Sequence, residues 1–350
     1  MFVSASECAF SEIEKRKNAT KGLLKFGVSY LDDALKGIMP KDLVLIGAPS
    51  GIGKTQLCCG IALSNLEAGK RVHYIALEAE EHEIERRLKY QLVANAFYRD
   101  VNRPRLSAKL SFDRWLLGEF IDELWPYEEK AAEFFKSGFQ NLYLYYKQGK
   151  FGVVELIEQV AVHSQPADLI IIDHVHYFDF EDDNENRAIR EIAKIARTLA
   201  LEQGKPIILV AHLRKRDRHN QEIAAGLDEF HGSSDLTKIA TKVITIAPGS
   251  VTDSGTYETY FRTPKSRWNG GAIRYLGRLI FDPRTNSYAK EYKIGFAECT
   301  RNDGFEELAD VNYPDWARKP QALASRDSSY VQRKSGMGFM QGGQRTFSES

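Results

Sequence analysis

A lysine and a threonine close the stretch "GAPSGIGKT", Gly47 to Thr55. Phosphate and a divalent cation ask for that chemistry. Glycines let successive backbone N–H groups face one concavity at the positive end of a following helix. The lysine then reaches the β- and γ-phosphates, and the hydroxyl binds Mg2+. Gly51, Gly53, Lys54 and Thr55 supply these parts. The predicted nucleotide-binding loop is Ala48, Pro49, Ser50, Gly51, Ile52, Gly53, Lys54, Thr55 and Gln56, with ATP and Mg2+ as its ligands. The strict pattern has glycine six places before the lysine, where this chain has Ala48 preceded by Gly47. That place only has to be small where the chain leaves its strand, so Ala48 is a tolerable replacement.

Such a loop needs an acidic partner at the end of a buried strand, to order the metal through water. Asp173, after "LIII", fits, and Thr55 and Asp173 are the predicted metal-site residues. Water attack on a γ-phosphate also needs a base or orienting group. Glu78 ends the strand after the loop helix and is the candidate. Glu80 and Glu81 follow it, and the alternative reading is that all three enrich a helix N-terminus.

The elements that position these groups follow from periodicity. "LVLI" before the loop, "RVHYIAL", "NLYLYYKQG", "DLIIIDHVHYF", "KPIILVAH" and "TKVITIAPG" read as strands, and "LLKFG" as one more. The runs at Leu169 and Ile207 are continuously apolar, as strands buried on both faces are. Residues 56–69, "EHEIERRLKYQLVANAF", "FGVVELIEQVAVHS" and 186–203 have helical spacing. Alternation of this kind predicts an α/β fold with a mainly parallel sheet flanked by helices. After Gly255 the pattern changes to antiparallel strands that extend the sheet. The predicted organisation is a helix and linker over 1–21, a core over 22–300 with an insertion at 99–140, and an extension over 301–350 that ends in a disordered Gly/Ser/Gln-rich tail.

Forty-eight basic and 48 acidic side chains balance, so any polyanion site has to be a local patch. Four scattered cysteines suit buried thiols in a reducing compartment. No apolar run reaches the roughly 18 residues of a membrane span, and the N-terminus has no signal-peptide core. The expectation is a cytoplasmic protein with no membrane partner.

These motifs, in this order, resemble the RecA-like core of the DnaB-type hexameric replicative helicases, over residues 22–290. "GAPSGIGKT" is similar to their phosphate loop, and "YIALEAE" to the strand delivering a catalytic glutamate, here Glu78. "IIIDHVHYF", with the helix after it, resembles their metal-aspartate strand, and "KPIILVAH" the sensor strand ending in Gln or His, here His212. "FHGSSDLTKIATKVITI" resembles the DNA-facing segment, and "TPKSRWNGG" the Lys-x-Arg finger. The resemblance implies a RecA-like P-loop ATPase forming a hexameric ring on single-stranded DNA, in replication of a phage, plasmid or similar element. Replication or loader proteins are the implied further partners. A RecA-like ATPase that does not unwind, or a nucleotide-gated scaffold, are the rival readings. The family usually carries a primase or helical domain ahead of this core, where the present sequence has about 20 residues.

By that resemblance Lys265 or Arg267 reaches a neighbouring subunit's phosphates, with Arg262 as competitor. His212 contacts the γ-phosphate, or else is a core histidine. Arg214, Lys215, Arg216 and Arg218 cluster in an otherwise neutral chain and suit DNA backbone contact. The other reading is a solvated charge run. Gly232, Ser233, Ser234, Lys238 and Lys242 are weaker DNA candidates.

Overall fold

The computed structural model describes residues 13, 16–17, 23–137, 139–179, 185–213, 222–230 and 234–318. The basic cluster at 214–218, Gly232, Ser233, most of the N-terminal segment and the tail beyond 318 lie outside the described residues.

One unit runs through Leu308, and Ala309 begins a second, described to Arg318. Among the described residues the first is built on nine strands in the order β3-β2-β4-β5-β1-β6-β7-β8-β9. They are β1 (Leu43–Ala48), β2 (Val72–Ala76), β3 (Leu142–Tyr146), β4 (Leu169–Asp173), β5 (Ile207–His212), β6 (Lys242–Val251), β7 (Tyr257–Ser266), β8 (Tyr275–Asp282) and β9 (Ser287–Phe296). The strands from β3 to β6 are parallel and the rest antiparallel, as the change in pattern after Gly255 predicts. The principal helices are α1 (Ser29–Leu35), α2 (Lys54–Glu67), α3 (Glu83–Arg99), α4 (Phe112–Leu116), α5 (Ile121–Ser137), α6 (Val153–Ile157), α7 (Glu185–Gln203) and α8 (Ser234–Ile239).

Every residue of β1, β2 and β4 is buried. Burying one Leu, Ile or Val side chain stabilises by about 1.5–3 kcal/mol, so these central strands anchor the sheet. Chain order reverses around β1, since β2 lies beyond β4 and β5 on one side while β6 lies on the other. In open parallel sheets the crevice at such a switch point, outside the strands' carboxyl ends, takes the ligand.

The antiparallel part is bent by two irregularities between β6 and β7. Pro264, which has no N–H for the ladder, sits in one, and Gly249 sits in the other, where a Cβ would come within 2.8 Å of Glu258. The expected strand at "LLKFG" is reduced to a bridge between Leu24 and Ile38, and the chain turns away at Gly27, φ +70°. The 99–140 region is helical over α4 and α5 and packs on α3 through Tyr90, Phe97, Leu124 and Tyr127.

Lys242 is a correction to the DNA-facing candidates. It is fully buried, its ammonium 2.8 Å from Asp42 and donating to Gly37 O at 2.6 Å. A cation spent on a buried pair is closed to a polynucleotide. Cys58, Cys59 and Cys299 are free and buried, as expected. Burial pushes the Cys59 thiol up to about 12, which leaves it unreactive. Among the described residues no helix is long and apolar enough to cross a membrane.

Candidate nucleotide site

Strand register brings the predicted groups to one rim. Ala48 pairs with His212 across β1 and β5, and Ala76 pairs with Asp173 across β2 and β4. Glu78 follows two residues beyond Ala76. Asp173, His212, Glu78 and the loop from Ser50 to Thr55 line a cleft of about 950 Å3 that also reaches Gln56, Tyr257 and Asn286.

Within the loop, Gly51 and Gly53 take φ of 79° and 90°, which disfavours any side chain. Gly53 caps α2, so the first free N–H groups of that helix open into the cleft. Gly47 has a different task. A Cβ there would lie 2.4 Å from the Phe230 ring, whereas Ala48 is buried without conflict. The aromatic ring packed under the strand end thus keeps position 47 a glycine, while position 48 accommodates a methyl group.

Lys54 is buried, and its ammonium donates to Ala48 O at 3.2 Å and Pro49 O at 3.1 Å and lies 3.0 Å from His212 Nδ1. Burial lowers its pKa, against the pull of Asp173 and Glu78. Thr55 donates its hydroxyl to Asp173 Oδ2 at 2.9 Å, and Tyr74 donates to the same oxygen at 2.8 Å. Asp173 Oδ1 is buried with no hydrogen-bond partner among the described residues. Burial raises the Asp173 pKa, while its two hydroxyl donors oppose the shift. An orphaned carboxylate oxygen next to a threonine hydroxyl, both hard oxygen donors, fits the Mg2+ that the loop implies.

Glu78 is half-exposed, and its Oε2 lies 2.8 Å from Nε2 of the buried His174. His174 Nε2 is in turn 3.0 Å from His212 Nε2, and His176 Nε2 accepts the His212 backbone N–H at 3.1 Å. Burial, then His212, His176 and Lys54, holds His174 down to about 3, so its ring is neutral. His174 and His176 are the residues that sequence reasoning passed over. Two histidines one and three places after Asp173, in a chain with eight, were the available signal.

The finger candidates separate. Lys265 donates to Thr237 O at 2.6 Å and Lys238 O at 2.7 Å, capping the carbonyl end of α8. Arg262 pairs with Glu222. Arg267 is exposed, just past the end of β7. Lys238 is exposed on α8.

Residues 11–218, more than half of the chain, match the AAA domain family. The ATPase domain of G40P superposes with a TM-score of 0.68 at 17% identity, over 83% of this chain and 100% of that one. A DnaB-like replicative helicase, described with its interactions with primase, gives 0.63 at 17% identity, over 83% and 67%. A KaiC-like protein from Pyrococcus horikoshii gives 0.50 at 16% identity, over 76% and 97%. No curated protein matches the sequence. Identities this low speak to fold, and the sequence match speaks to family. The chain belongs to the AAA domain family and has the RecA-like P-loop NTPase fold of the DnaB-like helicase core.

Proposed function

We propose that this protein is an ATP-hydrolysing, ring-forming DNA helicase of the DnaB type that moves along single-stranded DNA. The observation that carries the reading is the convergence of Lys54, Thr55, Asp173 and Glu78 on one cleft, in a fold shared with a DnaB-like helicase. Phosphoryl transfer is catalysed mainly by positioning and by cancelling charge. The loop N–H groups and Lys54 hold the phosphates. Thr55 and Asp173 would hold Mg2+, which would supply positive charge to offset that of the phosphates. Glu78 takes the proton of the attacking water. His212 senses the γ-phosphate and passes its loss to the basic residues Arg214, Lys215, Arg216 and Arg218, which grip the DNA backbone, and Gly232, Ser233 and Lys238 are weaker DNA contacts. Arg267 completes the site of an adjoining subunit. Replication of a phage, plasmid or similar element is the setting that suits this reading, with loader or primase-like proteins as partners.

The test is the ATPase rate with and without single-stranded DNA, for wild type and Arg214→Ala/Arg216→Ala, together with unwinding of a forked duplex. Stimulation by DNA that the double substitution abolishes, with strand separation, supports the motor. DNA-independent turnover without unwinding would favour a non-unwinding ATPase, the reading that the KaiC-like likeness suits. No turnover at all would favour a nucleotide-gated scaffold.

A further inference from the structure

Away from the nucleotide cleft, the loop between α3 and α4 gathers positive charge that the proposed function does not use. Residues 99–109 hold Arg99, Arg103, Arg105 and Lys109 against a single acid, Asp100, in a chain whose charges balance overall. Arg103, Arg105 and Lys109 line a separate cleft of about 420 Å3 with Phe97, Tyr98 and Leu106, and no carboxylate is among its lining residues. We infer that this cleft is a binding site for single-stranded nucleic acid, distinct from the basic residues assigned to DNA above.

The loop is built to hold its cations in place. The Asn102 backbone N–H donates to Asp100 Oδ1 at 2.8 Å, and the Arg103 guanidinium donates to Asp100 O at 3.1 Å. That guanidinium also lies 5.8 Å from the ring centres of Phe97 and of Tyr98, a cation–π contact with both. Pro104 fixes its own φ and keeps Arg103 out of the helical region, so Arg103 and Arg105 stand at most about 7 Å apart along the chain. Leu110, buried in the cluster that α3 and α5 share, ties down the far end. The acids that act on these cations are already engaged. Asp100 accepts the Tyr127 hydroxyl at 2.7 Å, and Asp282 is paired with Arg284 at 2.6 Å. Arg105 and Lys109 are exposed, with no hydrogen-bond or ion-pair partner among the described residues.

Two free cations suit backbone phosphates, and the Arg103 guanidinium, laid on aromatic rings, offers a flat face on which a base can stack. A single strand presents bases and phosphates together. A duplex turns its bases inward and brings this cleft only phosphates, and an acidic protein segment has carboxylates but no ring to stack. Charge and stacking in one cleft therefore favour a single strand.

The test uses full-length Arg214→Ala/Arg216→Ala protein, so that the residues assigned to DNA above do not mask the cleft. Binding of fluorescent oligo-dT is titrated at several salt concentrations, and the same oligonucleotide carrying iododeoxyuridine is photo-crosslinked and mapped by mass spectrometry. Crosslinks are expected within residues 97–110, which line the cleft. Adding Arg105→Gln/Lys109→Gln should weaken binding about 10-fold and reduce the steepness of log K against log salt by about 1.4, roughly 0.7 per lost phosphate contact. Arg105→Lys/Lys109→Arg, which keeps the charges, should stay within about twofold of its parent. Crosslinks only outside 97–110, or an unchanged salt dependence, overturn the inference. So does equal competition by polyglutamate, which would make the occupant an acidic protein segment, or equally tight binding of a duplex of the same length. The readouts need neither nucleotide nor unwinding, so a chain that fails to unwind DNA would refute the proposed function while the crosslinks still decide the inference.

Discussion

The Arg267 backbone N–H donates to Thr241 O, and the Thr241 N–H donates to Leu43 O, so Arg267 lies level with the first residue of β1 while Lys54 lies beyond its last. Five residues of strand separate the two levels, about 17 Å at a rise of roughly 3.3 Å per residue. An exposed arginine there cannot serve its own chain's loop and is free to serve another's. Arg267→Ala is expected to bind nucleotide like wild type but to hydrolyse it on the order of 10^3-fold more slowly. Mixing it with Lys54→Ala protein should restore part of the turnover, because hybrid interfaces unite an intact loop with an intact arginine. Steady-state phosphate release on the mixture checks this, and a strictly additive result would refute the trans assignment.

Lys265 should behave otherwise. Its ammonium caps two carbonyls of α8 within the same chain. Lys265→Ala is expected to cost about 1–2 kcal/mol in stability, read as a lower denaturation midpoint. Any loss of hydrolysis should follow the unfolded fraction.

Asp173→Asn tests the metal assignment. Asparagine keeps the volume and an acceptor for Tyr74, but it replaces the orphaned oxygen or its partner with an N–H donor. Turnover is expected to fall about 100-fold or more, while nucleotide binding measured in chelator stays near wild type. Equal losses with and without Mg2+ would point instead to a collapsed loop.

The Lys242–Asp42 pair sits in the core, at the other end of β1 from the cleft. Thr241 and Met39 also donate to the Asp42 carboxylate. Lys242→Met alone leaves that carboxylate short of its counter-charge and is expected to cost about 3–5 kcal/mol. Adding Asp42→Asn should recover part of the loss, which a double-mutant cycle by chemical denaturation would measure.

Acid should destabilise the fold in a defined window. Burial, then Lys205 and Arg71, holds buried His73 down to about 4, against 6.5 for an ordinary histidine. Between those values the unfolded chain binds the proton and the folded chain does not, so stability is intact above 6.5 and falls as pH drops toward 4. His73→Gln should flatten the dependence of the unfolding midpoint between pH 6.5 and 4.5. An unaltered slope would assign the acid sensitivity to other groups, His174 first.

Sheet and phosphate loop were legible because both are written locally. Buried strands are unbroken β-branched runs, and the loop's glycines and lysine stand within a few residues of one another. The places of Asp173 and Glu78 at the cleft could be read because each ends such a run. What was hidden depends on contacts remote in sequence. His174 reads as one more residue after a strand, and only pairing of β4 with β5 sets it against His212. Lys242 reads as a surface charge, because its partner Asp42 is 200 places away. Lys265 and Arg267 look equivalent on the strand, and only α8, folded against one of them, tells them apart.

The ring of Phe230 packed beneath the strand end has a consequence for engineering. Exchanging Gly47 and Ala48 would restore the textual glycine signature while driving a methyl group into that ring. The cosmetically repaired sequence should fold less well than the irregular one it replaces.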